Sequence, residues 1–246
     1  MPCRLLIQLL VSLCLALSFA VSSHAASIAG WKIGTTSGNR AAIAASAALT
    51  SDKVKANNLL LGTGLNSTGG GTTLASTGWT GEATDYVTFS FSVTPGYALT
   101  LDNLYISTRS SPQGPGVLAL YSSLDGFRNA IYTFTQPTAN GTLNSVVTLG
   151  KLPVVTSSVE FRIQQVGTRS VAGGSTAPNG NFRVIDSVAS DPTLTGMRIT
   201  GQIAAVPLPP AVALFGAGLL LLGVSGRHAL PDWPARTPRR GAHQAA

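Results

Sequence analysis

The stretch Tyr86-Val-Thr-Phe-Ser-Phe-Ser-Val93 alternates polar and apolar residues without interruption. Valine and phenylalanine occupy every second position, with tyrosine, threonine and serine between them. Because successive side chains of a β-strand point to opposite faces, this pattern predicts a strand with one face toward a core and one toward water. Thr94-Pro95-Gly96 follows directly and predicts the turn that ends the strand.

Further strand-like segments follow at short intervals, separated by glycine, proline, asparagine and aspartate. No alternation of strands with helical segments is visible. We therefore predict an all-β fold, a jelly-roll-like β-sandwich in which two antiparallel sheets bury their apolar faces against each other. The further strands are predicted at residues 98–108, 117–122, 130–135, 143–149, 159–166, 181–188 and 195–203.

The part of the chain before these strands, residues 27–81, is less regular, and we predict that it wraps around the sandwich. Residues 40–49 are rich in alanine and favour a short helix, although helix propensity is weak enough for tertiary pairing to override it. Residues 54–61 predict a ninth strand. Residues 66–73 contain mostly glycine, serine and threonine and predict a loop.

Charge and cysteine content exclude several functional classes. Only 10% of the residues are charged, and part of the net charge of +7 lies at the two ends of the chain. The basic residues between the ends are scattered, which argues against the basic patch of a nucleic-acid-binding domain. Both cysteines, Cys3 and Cys14, precede residue 26, so residues 26–203 have no cysteine for a disulfide, a nucleophile or a metal.

Residues 1–25 have the features of a signal peptide in the usual order. A basic residue precedes an apolar run over residues 5–21, and small residues follow. Ser23 and Ala25 would occupy the −3 and −1 positions of a cleavage site between Ala25 and Ala26. We therefore predict export of residues 26–203 and cleavage by signal peptidase. The alternative is an uncleaved membrane anchor, which would also export the domain.

A second apolar segment lies near the C-terminus. Residues 206–226 begin with prolines, which suit the first turn of a helix, and continue as an apolar run that predicts a transmembrane helix. The run is short beside the roughly 20 residues that usually span a bilayer. The basic tail, residues 227–246, is predicted to be cytoplasmic by the positive-inside rule, which places residues 26–203 on the other side of the inner membrane.

The residues that open this segment carry a resemblance to a known family. Val206, Pro207, Leu208 and Pro209, followed by an apolar stretch and then arginines, resemble the PEP-CTERM sorting signal in its Val-Pro-Leu-Pro-Ala form. The resemblance implies an exported protein of a Gram-negative, often biofilm-forming bacterium, sorted by an exosortase-type enzyme. This sequence departs from the pattern at Pro210, where alanine is usual, and in its longer tail. An ordinary tail anchor is the alternative.

The domain between the two ends carries a second, weaker resemblance. Short motifs over residues 53–203 are similar to a recurring exported domain of PEP-CTERM proteins. They include Gly78-Trp79-Thr80 and the closing Phe182-Arg-Val-Ile-Asp-Ser-Val188. That group is similar in outline to jelly-roll carbohydrate-binding modules. A shared fold alone does not imply a shared function, so the resemblance implies a sandwich and no activity.

Residues 26–203 offer little of the usual catalytic chemistry. The three histidines, His24, His228 and His243, all lie outside this range, which excludes a Ser-His-Asp triad, a histidine-ligated zinc and a histidine general base there. Several aspartates and glutamates remain, but their spacing selects no pair for a glycosidase. We predict that the protein is not an enzyme and has no metal or cofactor.

Two details of the domain allow local predictions. Asp125-Gly126 predicts a turn that returns Phe127 into the core, in preference to a calcium loop, whose repeated aspartate spacing is missing. Arg109 and Arg162 are predicted to be buried partners of Asp186, because arginine forms bidentate pairs with carboxylates. The alternative for both arginines is hydrogen bonding to a ligand.

Aromatic side chains provide the remaining functional candidates, because their apolar ring faces can stack on sugars. Trp31, Trp79, Tyr105 and Arg109 are candidate glycan contacts, although aromatic residues of a sandwich are more often part of its core. The leading hypothesis is an exported, membrane-anchored or exosortase-sorted protein of the cell surface or extracellular matrix, without catalytic activity. The alternative is a carbohydrate-binding β-sandwich module with an extracellular polysaccharide as its partner.

Overall fold

The computed structural model describes residues 26–34, 41–68, 73–186 and 196–206. The chain divides into two units, Met1–Ala205 and Val206–Ala246, and every described residue except Val206 belongs to the first. The predicted signal peptide, the sorting motif from Pro207 onward, the C-terminal helix and the basic tail lie outside the described residues. Within the described ranges, no helix is both long and apolar enough to span a membrane.

Fourteen β-strands contain about half of the described residues. They are β1 (Ala26–Trp31), β2 (Ala42–Ile43), β3 (Val54–Ala56), β4 (Leu59–Leu61), β5 (Asn66–Ser67), β6 (Leu74–Thr77), β7 (Tyr86–Val93), β8 (Tyr97–Ser110), β9 (Val117–Ser122), β10 (Tyr132–Thr135), β11 (Thr142–Thr148), β12 (Ser158–Gln165), β13 (Phe182–Ile185) and β14 (Met197–Ala205). Short 3₁₀ turns occur at Ala47–Leu49 and Ser123–Asp125.

The strands form two antiparallel sheets of seven strands each. The first sheet has the order β1-β14-β8-β13-β6-β5, and β11 also pairs with β8. The second has the order β10-β9-β12-β7-β4-β2, and β3 also pairs with β7. Their apolar faces contribute to one hydrophobic core. The predicted all-β sandwich is therefore confirmed, and each of the strands predicted from residue 86 onward has a counterpart.

The strand that alternates most clearly in the sequence does so in the structure as well. In β7, Val87, Phe89, Phe91 and Val93 are buried, while the polar residues between them are half-buried on the opposite face. The ring of Phe89 stacks on that of Phe161 in the adjacent strand β12, with the ring centres 5.3 Å apart. Cross-strand aromatic pairs of this kind stabilise a sheet beyond the area they bury.

The predicted helix over residues 40–49 is wrong. Ala42–Ile43 is a strand that pairs with Leu59–Leu60 of β4, and only Ala47–Leu49 is helical, as a single 3₁₀ turn. Ile43 and Leu49 are both buried, so the burial of two apolar side chains overrides a helix propensity worth only tenths of a kcal/mol per residue. The predicted ninth strand exists as two short strands, β3 and β4.

The N-terminal part does more than wrap around the sandwich, because it supplies strands to both sheets. β1 forms an edge of the first sheet by pairing with β14, and β6 lies between β13 and β5. The loop predicted at residues 66–73 begins with β5, and residues 69–72 lie outside the described part of the chain.

Candidate functional site

Two of the four candidate glycan contacts are core residues. Trp31 is 0% exposed and Trp79 is 1% exposed. Their rings pack edge-to-face on Phe89 and Phe182 respectively, each at 5.4 Å between ring centres. Both indole N–H groups have partners, that of Trp31 being the carbonyl oxygen of Asn57 at 2.8 Å. An enclosed ring cannot stack on a sugar, so neither tryptophan is a contact residue in this structure.

The other two candidates, Tyr105 and Arg109, lie on the outer face of the first sheet. Both are half-buried and belong to β8. The guanidinium of Arg198 lies 4.4 Å from the ring centre of Tyr105, and Nη2 of Arg109 donates to Oγ1 of Thr142 at 2.9 Å. The sheet therefore brings both residues to one face.

The predicted pairing of Arg109 and Arg162 with Asp186 is wrong. The two carboxylate oxygens of Asp186 accept hydrogen bonds from the backbone N–H groups of Ile33 and Gly34, at 2.7 and 2.8 Å. These amides follow β1, and the carboxylate gives them the acceptors that buried backbone donors need. The two arginines are thus available for other contacts.

Arg162 lies at the centre of a cluster on the outer face of the second sheet. We call this cluster the Arg162 platform and define it as Tyr86, Tyr121, Phe127, Glu160 and Arg162. Strand β12 lies between β9 and β7. Its Arg162 is the register partner of Tyr121 in β9, and the neighbouring strand β7 begins with Tyr86. The platform residues are all half-buried, so each presents part of its surface to solvent.

The guanidinium of Arg162 is held from several directions. Its Cζ lies 4.5 Å from the ring centre of Tyr86 and 4.0 Å from that of Phe127. Its Nε donates to Oε1 of Glu160 at 2.7 Å, and the hydroxyl of Thr88 donates to the same oxygen at 3.1 Å. Such contacts immobilise a side chain that would otherwise have many rotamers, which lowers the entropy cost of binding a ligand to it.

Phe127 reaches the platform from a tight turn. The turn predicted at Asp125-Gly126 is confirmed, but the ring does not return into the core, because Gly126 and Phe127 both adopt positive φ, 72° and 61°. The Asp125 carboxylate accepts hydrogen bonds from the backbone and side-chain N–H of Asn129, both at 3.0 Å. Burial tends to raise the pKa of Asp125, but these hydrogen bonds outweigh it and leave the pKa below its usual value. The turn therefore keeps its ionised acceptor at neutral pH.

A pocket of about 290 Å³ opens beside the platform, where β9 ends and β12 begins. Within it, Nδ2 of Asn57 donates to Oγ of Ser90 at 2.9 Å, and Oγ of Ser123 accepts from the backbone N–H of Glu160 at 3.0 Å. Its volume lies near the lower end of the range found for small-molecule sites. It is lined by Asn57, Ser90, Phe91, Ser123, Ser158, Val159 and Glu160.

This surface combines aromatic rings, charged donors and uncharged polar groups. Tyr86, Tyr121 and Phe127 offer ring faces and Arg162 offers charged donors, while amide and hydroxyl groups line the pocket. The pocket lining includes a single carboxylate, Glu160, whereas a glycosidase needs two facing each other. Among the described residues, no group of three or more histidine, cysteine, aspartate or glutamate side chains is placed to hold a metal ion.

Sequence reasoning singles out Arg162 and Phe127 but assigns neither to this surface. Tyr86 and Glu160 carry a usable signal, because both fall on the polar side of an alternating strand. Their proximity follows from the register between β7 and β12, which the sequence does not reveal.

No protein-family model matches the sequence, and the comparison with curated proteins gives no match. Among solved structures, the chain is similar to a family 29 carbohydrate-binding module, with a TM-score of 0.38 and 8% identity over 72% of this chain and 90% of that chain. A variant of such a module complexed with mannohexaose matches with a TM-score of 0.36 and 9% identity, over 73% of this chain and 92% of that one.

A second variant, complexed with cellulohexaose, gives a TM-score of 0.35 and 9% identity over 70% of this chain and 92% of that chain. All three TM-scores are below 0.5 and all three identities are below 10%. These similarities are too weak to carry an inference about the activity of this chain, so a functional proposal has to rest on the geometry of its own residues.

Proposed function

We propose that this protein is a non-catalytic carbohydrate-binding module, and that it binds glycans on the Arg162 platform. The observation that carries the proposal is the guanidinium of Arg162 lying between the half-exposed rings of Tyr86 and Phe127. A pyranose has an apolar face and a rim of hydroxyl groups. Rings beside a fixed array of donors and acceptors complement both parts of such a ligand.

The neighbouring pocket supports the same class of ligand. Its polar groups are uncharged amides and hydroxyls apart from Glu160, and hydroxyl groups of a sugar can act as donor and acceptor toward all of them. The platform and the pocket share Glu160, so a chain of sugar units could contact the rings and the pocket together. The jelly-roll topology predicted from the sequence is part of this proposal, and the antiparallel pairing of both sheets supports it.

Replacing Arg162 with alanine tests the platform. We expect affinity for a neutral polysaccharide to fall about 10- to 100-fold, since a hydrogen bond to a charged group contributes roughly 1.5–3 kcal/mol. The measurement is affinity gel electrophoresis of the full-length chain in gels containing mannan, a mixed-linkage glucan, xylan or no polymer. Phe127→Ala should have an effect in the same direction, because it removes one of the two rings.

Arg128→Ala is the matched control, since Arg128 is exposed, carries the same charge and is the next residue after Phe127. Thermal unfolding of each variant would show whether the fold is retained. Equal retardation of the wild type and a folded Arg162→Ala variant would exclude the platform as the binding site. Absence of retardation in every polysaccharide gel would overturn the proposal itself.

We also propose that the module is exported and sorted to the cell surface or extracellular matrix. The proposal rests on the sequence of the two ends: a predicted signal peptide cleaved between Ala25 and Ala26, and a Val206-Pro207-Leu208-Pro209 signal resembling that of exosortase substrates, followed by a predicted inner-membrane helix. A surface location would bring a glycan-binding face into contact with extracellular polysaccharide.

Mass spectrometry of both termini provides the test of export. We expect cell-surface and medium fractions to contain a form that begins at Ala26 and lacks peptides from residues 227–246. Recovery of those C-terminal peptides from a secreted form would contradict sorting-linked cleavage. Recovery of an uncut N-terminus would support the anchor alternative for residues 1–25.

A further inference from the structure

The outer face of the first sheet contains two arginines directly opposite each other. Arg109 of β8 and Arg183 of β13 are register partners in an antiparallel pair. Their strand neighbours Ser110 and Phe182, also partners, are buried on the inner face, so the two arginines share the outer face. Side chains in such positions have Cβ atoms about 4.5–5.5 Å apart.

Like charges directly opposite in a sheet destabilise it. No carboxylate neutralises this pair: among the described residues the ion pairs are those of Lys53 with Asp52 and of Arg162 with Glu160. The partners of the two arginines are neutral. Nη2 of Arg109 donates to the hydroxyl of Thr142 at 2.9 Å, and Nε of Arg183 donates to Oδ1 of Asn181 at 3.0 Å.

These neutral partners keep the two side chains on the sheet rather than extended into water. Asn181 is fixed in turn, because its Nδ2 donates to Oγ1 of Thr68 at 2.9 Å and its backbone N–H donates to Oγ of Ser111 at 2.8 Å. Nε of Arg109 is buried and has no hydrogen-bond partner. Two arginines at opposed register positions of one face, neither of them paired with a carboxylate, offer N–H donors to anionic groups.

We propose that Arg109 and Arg183 form a binding site for the anionic groups, carboxylate or sulfate, of an acidic polysaccharide. The site belongs to a different sheet from the Arg162 platform, so the proposal goes beyond glycan binding there and does not depend on it. The bound anion offsets the repulsion between the two guanidinium groups. An acidic polysaccharide carries such groups at regular intervals along its chain. The outer face of the sheet offers a surface along its strands on which such a chain can lie.

The test compares three polymers of the same general kind: polygalacturonate with carboxylates, dextran sulfate with sulfates, and neutral dextran. We expect the full-length protein to bind at least one of the two acidic polymers. The Arg109→Gln, Arg183→Gln double variant should bind that polymer at least about 10-fold more weakly, because each lost hydrogen bond to a charged group costs roughly 1.5–3 kcal/mol. Binding of only one acidic polymer would identify the anionic group. Binding of neither would overturn the proposal.

Arg169→Gln is the control, because Arg169 is exposed and outside this face, and its loss changes the net charge by one. Equal weakening by Arg169→Gln and by the single Arg183→Gln variant would show general attraction to a basic protein and would overturn the proposal.

Thermal unfolding separates a binding role of the pair from a purely structural one, because the two roles predict opposite changes in the unfolding midpoint. Removing one of two repelling charges should leave the midpoint of Arg183→Gln equal to or above that of the wild type at low salt. Added polygalacturonate or dextran sulfate, whichever is bound, should raise the midpoint of the wild type more than that of the double variant. A lower midpoint for Arg183→Gln without polymer, together with an unchanged affinity, would assign the pair a structural role instead.

Discussion

Replacing Trp31 with alanine should lower the free energy of unfolding by about 3–5 kcal/mol, the range found when a large buried aromatic side chain is truncated. Trp31 is 0% exposed and packs edge-to-face on Phe89, which stacks on Phe161. The variant would leave a cavity beside Phe89 at the end of this aromatic cluster. It would also leave the carbonyl oxygen of Asn57 without its indole donor.

Urea unfolding followed by circular dichroism measures the effect as a shift in the midpoint. Trp31→Phe separates the two contributions, because it keeps most of the ring packing and removes the hydrogen bond to Asn57. Val154→Ala is the control: Val154 is exposed, and we expect a change within about 0.5 kcal/mol. Equal midpoints for Trp31→Ala and Val154→Ala would contradict the position of Trp31 in the core.

The same residue shows where sequence reasoning about this protein reaches its limit. In β1 the pattern of burial does not alternate, because a register irregularity between Ser27 and Ala29 shifts the following residues relative to β14. A short strand with an irregular register carries no readable period, so alternation does not predict the direction of the Trp31 side chain. Only the general burial of aromatic residues in a sandwich favours the core for it. In β7, which has no such irregularity, alternation predicts both the strand and the buried face.

The strands from residue 86 onward are predictable for the same physical reason. Each has several apolar residues that face one core, so the need to bury them is visible in the local sequence. β2, β5 and β6 have between two and four residues each, and β6 is held by pairing with β13, far later in the chain. Their formation is a consequence of tertiary pairing, which local propensity does not encode.

The candidate site is predictable only in its components. The polar alternate positions of β7 and β12 are visible in the sequence, as is the turn at Asp125-Gly126. Bringing Tyr86 and Phe127 to opposite sides of Arg162 requires the pairing of β12 with both β7 and β9 and the positive φ of Phe127. Arg109 and Arg183 also lie opposite each other only because of the register between β8 and β13, which the sequence does not reveal.

Replacing Asp85 with alanine should lower the free energy of unfolding by about 1–3 kcal/mol, the cost of leaving buried donors unsatisfied. The side chain is 2% exposed. Its Oδ2 accepts from the backbone N–H of Thr80 at 2.8 Å, from the hydroxyl of Thr80 at 2.7 Å and from the backbone N–H of Glu82 at 3.1 Å. One carboxylate oxygen thus organises the loop that joins Trp79 in the core to Tyr86 on the platform.

Glu82→Ala is the matched control, since this carboxylate is exposed in the same loop and only the backbone of Glu82 contacts Asp85. We expect Glu82→Ala to unfold within about 0.5 kcal/mol of the wild type, because substitutions of exposed side chains rarely exceed that. Asp85→Asn should fall between the two, because its amide keeps one oxygen acceptor. If Asp85→Ala and Glu82→Ala unfold at the same urea concentration, the carboxylate does not hold the loop. If Asp85→Ala also weakens polysaccharide retardation while Glu82→Ala does not, the loop contributes to the position of Tyr86 as well as to stability.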